Sequence, residues 1–261
     1  MKLTIFAATG GIGRQLVNQA IAAGHDVTAV VRNPAALAVA EVRTVTADLA
    51  SVDPAALRDA VEGADAVLSG LGARSRKDAG VAWRGTSAIV SAMRVSGVRR
   101  IVVVSAAPVG TVASPNRPHP PRFDPGDGFF MRHLAAPLIK ALIAEHYADL
   151  ARMEEILRES GLDWTVVRPP RLTNGRLTGS YRIAYGRNVR RGLTVSRPDV
   201  ANLMLESICR RETVTQAIGI ANSRSRRPRS QPCSSIAKTA LSDPCPGRST
   251  LPLGNEPDPV Q

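Results

Sequence analysis

The sequence predicts a doubly wound α/β fold: one domain, with a parallel sheet and helices on both faces. Three observations lead there. Residues 2–32 read as strand, tight glycine turn, helix and second strand. Strand-like and helix-like stretches then keep alternating, the pattern of right-handed crossovers in a parallel sheet. Near residue 222 the composition changes abruptly, which bounds the domain at 1–221 and leaves 222–261 as a tail. With 261 residues and 44% apolar content, the chain has material for one packed core.

The elements follow in order. Leu3, Ile5 and Ala7 with Thr4 and Phe6 form a short apolar run, as a central strand buried on both faces requires. Ile12, Leu16, Val17, Ala20 and Ile21 recur at helical spacing, and Gly24 stands where helices end. Val27 and Ala29 to Val31 supply the second strand, and Val42 to Ala47 a third that ends at Asp48-Leu49. Ser51 or Asp53 can cap a helix with Pro54 in its first turn, running to Val61. Residues 65–69 make a fourth strand closed by Gly70-Leu71-Gly72, 81–96 a helix, and 99–105 a fifth strand. Prolines including Pro115, Pro118, Pro120, Pro121 and Pro125 in 106–130 predict a long irregular loop, functional by its length. Helices are expected over 130–143 and 145–160, a sixth strand over 163–168, small strands over 171–195, a helix from Arg197 to Ile208 and a final strand over 213–220. From Asn222 on there is no aromatic residue and little to bury, so this Pro/Arg/Ser-rich basic stretch reads as a disordered tail.

The turn Thr9-Gly10-Gly11-Ile12-Gly13 carries the first functional signal. A strand running through such a turn into a helix aims unpaired N–H groups, and the positive helix end, at one spot outside the sheet. That spot suits a pyrophosphate, so a dinucleotide cofactor is expected. A G-x-x-G-x-x-G spacing would start with glycine at position 7, where this chain has Ala7; the methyl is expected to cost little and to shift the turn slightly. The second strand ends in Arg32 rather than an acid. An arginine there can pair bidentately with a ribose 2′-phosphate, so NADP(H) is preferred over NAD(H). Ligands of such folds lie beyond the carboxyl ends of the strands. That rule gathers the turn, Arg32, Asp48, Leu49, Gly70, Leu71, Gly72, Ala73, Ser105, Ala106, Pro169 and Pro170 around one cleft.

Composition narrows the classes. The formal charge of +12 favours anionic ligands, but aromatics are only 3% and the arginines are scattered, which argues against a nucleic-acid platform. The three cysteines and four histidines show no metal-ligand spacing, so no metal site is expected. No run approaches eighteen apolar residues, and the N-terminal run is a strand rather than a leader; a soluble, cytoplasmic protein is expected, with no membrane partner. Oligomeric state is not legible.

Three stretches carry a resemblance: AATGGIGRQLVNQAIAAGHDVTAVVRNP at 7–34, IVVVSA at 101–106, and MEEILRESGLDWTVVRPPRLTNGRLTGSYRIA at 153–184. Over about residues 1–220 the chain resembles the atypical short-chain dehydrogenase/reductase superfamily. The likeness is to its NAD(P)H-binding branch, which includes flavin reductases of the biliverdin reductase B type and NmrA-like relatives. The resemblance implies a Rossmann fold in which the turn and Arg32 hold the phosphates. Asp48 and Leu49 would lie against the adenine, and Gly70 to Arg74 along the ribose and pyrophosphate. Ser105, Ala106, Pro169, Pro170 and Arg171 would flank the nicotinamide.

The better-known members of that superfamily use Tyr-x-x-x-Lys, in which lysine lowers the tyrosine's pKa for proton exchange with a carbonyl. Here Tyr147 is followed four residues on by Ala151, and Arg152 lies a step round the helix, facing away. Ser105 and Tyr147 are therefore the candidate catalytic residues, with Tyr147 leaning towards helix packing. The expectation is an NADP(H)-dependent oxidoreductase passing hydride to a flavin, quinone or similar electron-poor small molecule. The alternative is a cofactor-sensing regulator without turnover. A nucleic-acid-binding role for the tail and a cofactor-assisted epimerase are further rivals, the latter weakened by the missing tyrosine–lysine pair.

Overall fold

Ten strands and five α-helices make up the protein in a computed structural model that describes residues 1–37, 39, 42–49, 53–72, 78–126 and 144–223. The helix expected over 130–143, the alternative cap Ser51, Ala73, Arg74 and nearly all of the tail lie outside these residues.

In chain order the elements are β1 (Lys2–Phe6), α1 (Gly11–Ala22), β2 (Asp26–Val31), β3 (Arg43–Thr46), α2 (Pro54–Val61), β4 (Ala66–Ser69), α3 (Val81–Val95) and β5 (Arg100–Val104). Then come α4 (Ala144–Glu159), β6 (Asp163–Arg168), β7 (Arg171–Thr173), β8 (Tyr181–Tyr185), β9 (Thr194–Ser196), α5 (Arg197–Cys209) and β10 (Gln216–Asn222). The main sheet runs β3-β2-β1-β4-β5-β6-β10-β8. All its pairings are parallel except β10 with β8, which is antiparallel. The order reverses between β1 and β4, since the chain winds outward through β2 and β3 on one side and through β5 and β6 on the other; such a reversal is where these folds open a ligand crevice. The antiparallel edge strand was not foreseen, because a Tyr-x-Ile-x-Tyr alternation says "strand" without saying which neighbour it pairs with. β7 and β9 form a separate parallel pair.

Successive residues of a strand face opposite sides, and the core divides accordingly. Phe6, Val67, Ile101, Val103 and Val166 pack with α2, α3 and α4 through Leu57, Ile89, Met93, Met153 and Leu157. Ile5, Leu68, Val102, Val104 and Val167 pack with α1 and α5 through Leu16, Val17, Leu203 and Met204. Each such fully buried side chain contributes about 1.5–3 kcal/mol. Two buried layers explain why the strands read as unbroken apolar runs.

Helix ends follow the chemistry expected of them, with one addition. Asp53 caps α2 by accepting from the Ala55 N–H at 2.9 Å. Ser196 caps α5, its Oγ accepting from the Asp199 N–H at 3.1 Å. α3 has no cap of its own; Asp149 of α4 reaches across to accept from the Ala82 and Trp83 N–H groups at 3.2 and 2.8 Å. Within the irregular stretch expected over 106–130, of which 127–130 lie outside the described residues, residues 107–111 form a 3-10 turn and Ser114 bridges to Arg117.

Candidate functional site

The carboxyl ends of β1, β2, β4, β5 and β6 lie along one edge of the parallel sheet, where folds of this order hold their ligand crevice, and the glycine turn follows β1 there. The turn closes with the Gly10 N–H donating to the Ala7 carbonyl at 2.8 Å. A Cβ on Gly13 would stand 2.1 Å from that same carbonyl oxygen, so the backbones touch and no side chain fits. Gly70 leans on the turn from β4, where a Cβ would come within 3.2 Å of the Gly13 nitrogen. Ala7 adopts φ +55°, the left-handed region. The expectation that its methyl costs little is therefore corrected: a left-handed non-glycine residue is strained by about 1–2 kcal/mol. The turn keeps its shape because Gly10, Gly13 and Gly70 hold it from three sides.

No side chain caps the start of α1, and its first turn holds no acid. The leading N–H groups of a helix have no partner within it, so they face the crevice together with the positive helix end. At Gly72 a Cβ would meet nothing among the described residues. This cradle of bare backbone fits a dinucleotide pyrophosphate.

Arg32 stands at the end of β2 with its side chain 57% exposed, its guanidinium 3.7 Å from the Asp78 carboxylate. Asp48 is exposed at the neighbouring strand end. Leu49 and Leu71 are buried, and both side chains turn onto Gly85 of α3, where a Cβ would collide with Leu71 at 2.6 Å and press Leu49 at 3.3 Å. What these two leucines present to the crevice is backbone. On the other side of the switch point, the Ser105 N–H donates to the Val167 carbonyl and the Ala107 N–H to the Pro169 carbonyl, at 2.8 and 2.9 Å. The strand pairing thus continues past β5 and β6 and sets Ser105-Ala106 beside Pro169-Pro170, as the strand reading expected. Arg171 is exposed at the start of β7.

The two candidate catalytic side chains face inward. Ser105 is 7% exposed, and its hydroxyl donates to Glu154 Oε1 at 2.7 Å. Glu154, 1% exposed, also accepts from Arg168 through Nε at 2.9 Å and through Nη2, and from Arg158 at 2.6 Å. Burial alone would push this carboxyl up; the Arg168 and Arg158 guanidiniums and the Ser105 hydroxyl outweigh it and hold it below the usual carboxylate range. Asp124 stands beyond Arg168 and accepts from the Gly126 and Asn188 N–H groups at 2.8 and 2.9 Å. Burial would lower Arg168, but Glu154 and Asp124 together raise it. The cluster therefore pins the 106–126 segment, β6, α4 and the turn after β8 to one another.

Tyr147, 8% exposed, belongs to the apolar core under the crevice, and burial raises its phenol pKa. Ala151 follows one helical turn on, and Arg152 lies over the Trp83 ring, 3.7 Å from its centroid. Among the described residues no group of histidine, cysteine and acidic side chains could hold a metal ion, and no helix is long and apolar enough to cross a membrane.

Sequence reasoning missed Glu154 and Asp124 altogether and noticed Arg168 only as a strand residue. The available signal was weak: a basic residue closing the otherwise apolar run Trp164 to Val167 needs a buried partner. It did not say which acid would supply one.

Sheet order, glycine cradle and crevice define a doubly wound dinucleotide-binding protein. The chain belongs to the NAD(P)H-binding family, whose sequence model matches residues 7–210. An uncharacterized sugar epimerase of Bacillus subtilis, YhfK, is 27% identical over 227 residues, covering 84% of this chain and 94% of its own. Among solved structures, the anaerobilin reductase ChuY of Escherichia coli O157:H7 superposes with a TM-score of 0.66 at 21% identity, covering 89% of this chain and 100% of that one. A short-chain dehydrogenase/reductase of Veillonella parvula in complex with NADP gives 0.64 at 20% identity, covering 85% and 94%. At these identities the structural likenesses establish the fold, and the fold agrees with the one expected from the sequence.

Proposed function

We propose that this protein is an NADP(H)-dependent oxidoreductase that passes hydride to a flavin-, quinone- or similarly electron-poor small molecule. The observation that carries the choice of acceptor is the Ser105–Glu154 hydrogen bond of 2.7 Å. A ketone acceptor needs a proton at the developing alkoxide, delivered by a positioned acid. Here the Ser105 hydroxyl is given to a carboxylate, that carboxylate is held ionised by Arg168, and the Tyr147 phenol is buried with its pKa raised. Tyr147 also lacks a lysine four residues on, where Ala151 stands. An acceptor that takes hydride into a conjugated ring and draws its proton from water makes no such demand. The bound cofactor would supply the hydride; the protein would orient the two rings and leave the proton to solvent.

In this reading Thr9, Gly10, Gly11, Ile12 and Gly13 hold the pyrophosphate, Arg32 the 2′-phosphate, Asp48 and the Leu49 backbone the adenine. Gly70, Leu71 and Gly72 line the ribose side, with Arg74 beyond. Ser105, Ala106, Pro169, Pro170 and Arg171 flank the nicotinamide. Ser105 then acts by holding its strand end to Glu154 rather than by donating a proton. A cytoplasmic setting and a folded unit of 1–221 followed by a tail are part of the same proposal; fractionation and limited proteolysis test them. The reductase names of relatives support the class, and the epimerase name of the Bacillus relative marks the rival chemistry.

The test is a titration with NADPH and NADH, followed by a screen for NADPH oxidation with FMN, riboflavin and simple quinones. NADPH should bind more tightly, and Arg32→Glu should remove that preference by setting a carboxylate against the 2′-phosphate. Tight binding without turnover on any acceptor would favour the cofactor-sensing alternative, which the inward-facing Ser105 and Tyr147 accommodate equally well. Binding of neither nucleotide refutes the proposal.

A further inference from the structure

The glycine turn has a neighbour that sequence separation hides. Arg197, the first residue of α5, lays its side chain over Gly11, the first residue of α1. A Cβ on Gly11 would lie 2.7 Å from Arg197 Nε and 2.8 Å from Cδ. The bare Cα of Gly11 is thus what admits the guanidinium, a reason for glycine at this position separate from the close approach at Gly13.

The guanidinium is held in place. Its Nη1 donates to the Asn174 side-chain oxygen at 2.5 Å. Its helix is locked to α1 by a shared apolar layer and by Gln19, whose Nε2 donates to the Pro198 carbonyl at 3.0 Å. The nearest acid on its own helix, Asp199, is fully buried and occupied. It accepts from the Thr178 and Gly179 N–H groups at 2.8 and 3.0 Å, and from the Thr178 and Ser196 hydroxyls at 2.9 and 2.7 Å. Among the described residues Arg197 makes no ion pair. A cation fixed by a neutral amide beside an anion-binding turn, without an acid of its own, is placed to meet an anion there.

We propose that Arg197 binds the cofactor's pyrophosphate, delivered from α5 across the face of the sheet, and that Asn174 orients it. The proposal rests on the reading above that the glycine turn receives the pyrophosphate. It adds that the phosphates are gripped from two helices instead of one. It also ties the cofactor to residues 174–179, which Asn174 and Asp199 fasten to the same helix start.

The experiment measures Kd for NADP+, NAD+ and adenosine 2′-monophosphate, which lacks a pyrophosphate, by calorimetry or competition on the full chain. It compares wild type with Arg197→Met, Arg197→Lys, Asn174→Ala and Arg32→Ala. A charge-assisted contact of this kind is worth about 10- to 100-fold in Kd. Arg197→Met should weaken NADP+ and NAD+ alike by that factor and leave adenosine 2′-monophosphate unchanged, with an unchanged melting temperature in the absence of ligand. Arg197→Lys, which keeps the charge and loses the fork, should fall between; Asn174→Ala should weaken both dinucleotides by less than Arg197→Met. If Arg197→Met and Arg197→Lys both bind NADP+ and NAD+ as wild type does while Arg32→Ala loses NADP+, the arginine only packs on Gly11 and the proposal falls, with the phosphate site intact. A loss confined to NADP+ and adenosine 2′-monophosphate would assign Arg197 to the 2′-phosphate and overturn it in a different way. Failure of the wild type to bind either dinucleotide refutes both readings together.

Discussion

Replacing Glu154 by glutamine tests whether the buried charge cluster is a structural clamp. The side chain is 1% exposed and accepts from Ser105, Arg158 and both arms of Arg168. Removing its charge leaves Arg168, whose side chain is 5% exposed, with Asp124 as its remaining acid, and leaves Arg117 close enough to repel it. Breaking a buried pair by removing one partner costs about 3–5 kcal/mol. Asp124 retains part of the compensation and Arg158, about a third exposed, can turn to water. The lower end, about 3 kcal/mol, is therefore expected. For a folded unit of this size that is a fall of roughly 6–12 °C in Tm. Urea unfolding followed by the fluorescence of Trp164, which sits in the strand that ends at Arg168, measures it. The double variant Glu154→Leu/Arg168→Met removes both charges and replaces them with apolar bulk, so it should recover much of the loss. If Glu154→Gln alone lies within about 1 kcal/mol of wild type, the cluster is solvated or loosely packed and the clamp reasoning fails.

The same carboxyl predicts a pH dependence. Its folded pKa lies below the ordinary 4.5, so its stabilisation is complete above about pH 4.5 and is lost as pH falls through the lower folded value. Wild type should lose stability more steeply than Glu154→Gln in that acid window, and parallel melting curves would contradict the depressed pKa. Ala7→Gly should be neutral or stabilising by up to about 1 kcal/mol, because relief of the left-handed φ offsets the greater freedom of glycine in the unfolded chain; a clear loss in denaturant midpoint would show that the turn is not strained. Asp149→Ala removes the α3 cap and should cost about 1–2 kcal/mol, with Asp149→Asn, which keeps an acceptor, losing less; equal losses would mean that charge rather than capping matters.

The N-terminal turn and the strand ends were legible from sequence because they are local. A glycine turn between a two-face-buried strand and an amphipathic helix is specified within a dozen residues by sterics and hydrophobic period. The alternation of such units implies their parallel order, and with it the line of strand ends that forms the crevice. Arg32, Asp48, Ser105 and Pro169 were placed by that logic alone. Tertiary structure decided the rest, since the contacts concerned join residues far apart in the chain. Nothing local marks Glu154 in its helix; Ser105, just past β5, and Arg168, at the end of β6, reach it only once the sheet and α4 have packed. Asp149 becomes a cap only because α4 lies against the start of α3. Arg197 reaches Gly11 only because α5 packs along α1, and β8 finds β10 only when the sheet has formed. Period and turn chemistry determine which segments form and in what order they stack. Which charges lose their water, and what then neutralises them, depends on the surfaces that meet when those segments pack.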